Sequence, residues 1–160
     1  MASLVMPHTV VRGPLTIMLD EHPSGPPLLA EGRFEDFQRY LRALDSAIDR
    51  SYASYAGPPG ERTLVVSVNT DLRARGWLLA RVGEPMQDEE ASVLESMSEI
   101  TPVALPGPMA FSLHFAVGGA PMSEHGQASL PSEWTEIMNR PGNAGISLRH
   151  LLDVLWSENT

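Results

Sequence analysis

Five histidines, twenty acids, and no cysteine or lysine set the chemistry open to this 160-residue chain. Without cysteine there is no disulfide, no thiolate zinc site and no thiol nucleophile. Without lysine there is no P-loop lysine, Schiff base or amine general base. Histidine and carboxylate chemistry remains. His114 lies in MAFSLHFAV, residues 109–117, where Met109, Phe111, Leu113, Phe115 and Val117 alternate with Ala110, Ser112, His114 and Ala116. An imidazole and a hydroxyl two residues apart in a strand share one face. Ser112 and His114 are therefore the candidate lining of a ligand pocket, provided that face is open.

Two further clusters are polar but incomplete. LDEH, residues 19–22, follows a strand-like run, and only Asp20 and His22 would converge there. SEHG, residues 123–126, lacks the HExxH spacing that puts two ligands on one helical face. GISLRH, residues 145–150, lacks the GxSxG elbow, and Ser147 is better explained as a helix cap. No GxGxxG follows a strand. No catalytic residue, metal site or cofactor is expected.

Charge is the stronger signal. The net charge is −9, and between Val82 and Asn139 there are nine acids and no arginine. A basic footprint is missing, so neither nucleic acid nor an anionic membrane is an expected partner. No apolar run reaches the roughly 20 residues of a membrane span. A cytoplasmic location is the expectation, or a periplasmic one if a leader was removed. Asp88, Glu95 and Glu99 fall opposite the apolar stripe of a helix, where packing does not require acids, and are the candidate partner-binding residues.

These residues must be positioned by regular elements. VVRGPLTIMLD, residues 10–20, alternates as a strand. Residues 33–52 form the strongest amphipathic helix, with Phe34, Phe37, Tyr40, Leu41, Leu44 and Ile48 on one side. TLVVSV (63–68) and GWLLARV (76–82) are strand-rich runs joined by a hairpin loop. A second helix spans about 89–100, with Asp88 as its N-cap and Val93, Leu94, Met97 and Ile100 as its apolar side. MAFSLHFAV is the fourth strand. Two short helices follow, one around Trp134 and one starting after Ser147, where Ile146 and Leu151 are spaced as a hydrophobic staple.

The order predicts an α+β fold: a four-stranded antiparallel sheet in a split βαβ arrangement, ferredoxin-like or similar. Two main helices would cover one face, and the C-terminal pair or a partner would approach the small-residue face. One domain, 1–160, is expected, with residues 1–9 disordered or vector-derived. The ββαβ order of residues 63–117 resembles in topology the C-terminal domains of TonB-like proteins; no family is assigned on that order. The functional expectation is a small bacterial, non-enzymatic protein-binding module, an immunity or adaptor protein that docks a basic partner through its acidic surface. The alternatives are an enzyme or small-ligand binder around His114, and a homo-oligomer that buries the same face.

Overall fold

The computed structural model describes residues 10–20, 33–53, 59–69, 73–80, 88–102, 109–118, 120, 130–143 and 145–158. Period-two runs become strands β1 (Val10–Asp20), β2 (Gly60–Val68), β3 (Ala74–Ala80) and β4 (Met109–Val117). Period-3.6 runs become helices α1 (Arg33–Ser51), α2 (Glu89–Ser98), α3 (Ser132–Met138) and α4 (Leu148–Glu158). The α+β class and the single antiparallel sheet are as expected. Strand order is β1-β4-β2-β3, so each crossover passes over one strand of the other unit. This leaves β1 and β3 as the two edges.

The alternation in β4 assigns the two faces. Phe111 and Phe115 point to the α1–α2 side, where Phe37, Tyr40, Leu44, Ile48, Val93 and Met97 are buried with them. Phe111 meets Phe37 and Tyr40 edge-on, at 5.2 and 6.3 Å between centroids, the geometry that aromatic quadrupoles favour. Leu41 sits on the flank of this stripe, half-buried, while Leu44 occupies its centre at 0% exposure. The side chain of Phe34 lies outside the described residues.

The opposite face is closed by α3 and α4. Trp134, Ile137, Leu151, Leu152 and Leu155 bury Val65, Trp77 and Ala110. Ala110 is small, and this is what lets the helices approach. Ser147 caps α4, its hydroxyl accepting from the His150 N–H at 3.2 Å. Ile146 and Leu151 join the same cluster, as a staple should. Asp88 occupies the N-cap position of α2, but its side chain makes no capping bond; its carbonyl accepts from Ser92 N–H instead.

One buried hydroxyl is unpaid for in hydrogen bonds. Tyr40 Oη is buried without a partner among the described residues. Burial pushes the phenol well above its ordinary range near 10. The unfolded chain therefore loses this proton first, and stability should decline as pH rises through about 10 and beyond. Tyr40→Phe is expected to hold or raise stability by up to about 1 kcal/mol and to shallow that alkaline decline. Denaturant melts at neutral pH and at about pH 10.5 check both points. A Phe variant that loses more than about 1 kcal/mol would mean the hydroxyl has a partner in solution.

Candidate functional site

Three places concentrate polar groups: the small-residue face of β4, the end of the sheet under α2, and the outer edge of β3. On the first, β2 and β4 pair in a register that sets Thr63 opposite His114, with Glu61 two residues along the same face. His114 Nδ1 lies 3.1 Å from Thr63 Oγ1, and Nε2 lies 3.4 Å from Glu61 Oε1. With Glu61 ionised, Nε2–H donates to the carboxylate and Nδ1 accepts the threonine hydroxyl. This is the polarity of an activated alcohol. Thr63 and Glu61 are each 5% exposed and His114 9%, however. Ser112 is buried beside them. The structure thus gathers Ser112 and His114 on one face, as the alternation implies, in a packed layer. A smaller cavity of about 150 Å³ that touches His114 is otherwise lined from the α1 side.

The second cluster was not legible as a site. Arg62 of β2 is 1% exposed and is gripped by Glu89 in the first turn of α2. Nε reaches Oε1 at 2.9 Å and Nη2 reaches Oε2 at 3.3 Å, a forked pairing suited to guanidinium and carboxylate. Tyr52 at the end of α1 donates to the same carboxylate, and Arg62 Nη1 donates to the Glu61 carbonyl at 3.0 Å. Burial, then the Glu89 carboxylate, raises the Tyr52 phenol far above its ordinary range. Every group here is engaged by another, so the cluster ties α1, α2 and β2 together.

The third place is open. A groove of about 690 Å³ runs along β3, between α2 and the α3–α4 pair. On one side Leu94, Met97 and Ile100 supply apolar wall. On the other, Arg75 lies over Trp77 at 5.0 Å and Arg73 over Trp156 at 5.3 Å, within cation–π range. Arg75 Nη2 reaches both oxygens of Glu133 at 2.6 Å, while its Nη1 is buried with no partner among the described residues. Trp77 Nε1 donates to Glu133 and Trp156 Nε1 to Ser67, which holds both indoles in place. Neither arginine was singled out from sequence. The only signal was the alternation of Arg73, Arg75 and Trp77 ahead of the apolar end of β3.

Asp88, Glu95 and Glu99 are all exposed on α2. The acidic segment is less unbalanced in space than along the chain, because Glu89 and Glu133 are paired with Arg62 and Arg75 from outside it. Among the described residues Asp88, Glu95 and Glu99 pair with no arginine. His8, His22, Glu124 and His125 lie outside the described residues, as does the side chain of Asp20. Among the described residues no three His, Asp or Glu side chains gather as metal ligands, and no helix is long and apolar enough to cross a membrane. Compared with family models, with curated proteins and with solved structures, the chain matches none, so the reading of its site rests on its own geometry.

Proposed function

We propose that this chain is a non-enzymatic protein-binding module, an immunity or adaptor protein, that docks a basic partner through the acidic surface of α2. One observation carries the reading. Glu89 and Glu133 are consumed by internal arginines, while Asp88, Glu95 and Glu99 remain exposed and unneutralised among the described residues. Charges that no packing contact requires are free to steer a partner of opposite sign. The packed seam between sheet and C-terminal helices supports the same reading, since a small-ligand site on that face would need the space those helices fill. The rival enzyme reading draws on the Thr63–His114–Glu61 arrangement, and it requires a route for substrate to side chains that are at most 9% exposed.

The test is kinetic. Replacing Glu95 and Glu99 by arginine should slow association with a captured basic partner by roughly tenfold or more at low salt, with the thermal melt unchanged. The difference should shrink as salt shortens the Debye length below about 8 Å. Equal association rates for the two proteins at low salt would remove the acidic face from the docking surface.

A further inference from the structure

We propose that a cavity between β1 and α1 is a binding site for one small, neutral, apolar ligand of about the size of a benzene ring. The proposal stands apart from the acidic surface of α2, because β1 is the edge of the sheet farthest from β3, against which α2 packs. The cavity holds about 150 Å³. Its origin lies in the strand pairing. Arg12 pairs with Phe115 and Leu15 with Leu113, so Gly13 and Pro14 together stand opposite His114 alone. Two residues against one make a β-bulge, a feature found often beside active sites. The bulge sets the two side chains that β1 turns toward α1, those of Arg12 and Leu15, one residue farther apart than regular alternation would. Gly13 brings no side chain into the gap that opens.

The walls are hydrocarbon. Val10, Leu15, Leu113 and Phe115 come from the sheet, and Leu41 and Ile48 from α1. Val10, Ile48 and Phe115 belong to the buried core, whereas Leu15 is 39% exposed and Leu41 and Leu113 are half-buried. Three leucines thus meet the cavity with part of their surface uncovered. A ligand seated among them removes that apolar surface from water, which is its source of affinity. The two charged residues of the lining, Arg12 and Asp45, have side chains 45 and 31% exposed and so belong to the rim. His114 touches the cavity, but its ring nitrogens face Thr63 and Glu61.

The rim decides the charge of the ligand. Arg12 Nε lies 3.0 Å from Asp45 Oδ1, and Nη2 donates to Asp49 Oδ2 at 2.8 Å and to the Asp45 carbonyl at 3.2 Å. The guanidinium is already shared between two carboxylates. An anionic ligand would meet more negative than positive charge there, and a cationic one would compete with Arg12 for the same carboxylates. A neutral ligand disturbs none of these bonds and asks for none. An apolar cavity of this volume accepts one benzene-sized molecule and gives water few partners.

The experiment titrates toluene, benzoate and benzylammonium separately into the full chain, with leucine and isoleucine methyls labelled for NMR. Toluene should give saturable shifts at Leu15, Leu41, Ile48 and Leu113, half-complete at or below about 1 mM, which lies within the affinity ceiling for so small a ligand. Benzoate and benzylammonium should bind at least about tenfold more weakly. Leu15→Phe, which can turn its ring into the cavity from a partly open position, should weaken toluene binding by about tenfold or more. Leu41→Phe fills the same space from α1 and keeps the test intact should Leu15→Phe disturb the bulge. Absence of any saturable shift, or shifts centred on Leu151 and Leu152 instead, would overturn the site. Toluene binding that is unchanged in both variants would do the same. Benzoate or benzylammonium binding as tightly as toluene would overturn the neutral class of ligand while the cavity stands as a site.

Discussion

Deleting residues 145–160 is expected to unfold the domain. The segment contains α4, whose Leu151, Leu152 and Leu155 are almost fully buried against Val65, Trp77 and Ala110. Burial of one such side chain stabilises by about 1.5–3 kcal/mol, so three contribute roughly 4–9 kcal/mol. That is comparable to the whole stability of an ordinary domain, about 5–15 kcal/mol. The loss would spread further. Trp134 belongs to the same cluster, and α3, at seven residues, is too short to persist without tertiary contact. The truncated chain should lose its cooperative melt, bind a hydrophobic dye and exchange the amides of β2 and β4 rapidly. A sharp melt within a few degrees of the intact protein would show α4 to be an appendage.

Glu89→Ala should be the most damaging single substitution among the charged residues. Arg62 is buried on a central strand, and its forked contact with Glu89 sets a carboxylate against its charge. Removing one partner of a buried pair leaves an uncompensated ion and costs about 3–5 kcal/mol. The Tyr52 hydroxyl loses its acceptor in the same step. Glu89→Gln keeps the shape and an acceptor oxygen, so its loss should be smaller. Replacing Arg62 by Met and Glu89 by Leu together should recover most of the stability lost in Glu89→Ala, because an apolar pair asks for no charge balance. Urea melts of the four proteins decide the matter. A Glu89→Ala loss below about 1 kcal/mol would show that solvent reaches the guanidinium.

The same two residues show where sequence reading stops. Glu89 was visible as an acid in the first turn of a helix, where the macrodipole alone accounts for it. Its partner is 27 residues away, on a strand whose place in the sheet depends on which strands pair. The nine-acid segment looked uncompensated for the same reason. A count along the chain ignores Arg62 and Arg75, which the folded sheet carries to Glu89 and Glu133.

Local periodicity by itself determined much of the architecture. Alternation in residues 109–117 separated a bulky face from a small one, and a 3.6-residue repeat placed Phe37, Tyr40, Leu44 and Ile48 on the buried side of α1. Such patterns are legible because side-chain direction within one element follows from backbone geometry alone. Strand order, and with it the place of β3 at one end of the sheet, was decided only by the tertiary structure. So was the register that sets His114 against Thr63 and Glu61, 51 and 53 residues apart in the chain. A one-residue slip would reverse every contact of that strand, and what prevents it is the burial of both faces together. That constraint exists only once α1 and α2 cover one side and α3 and α4 the other.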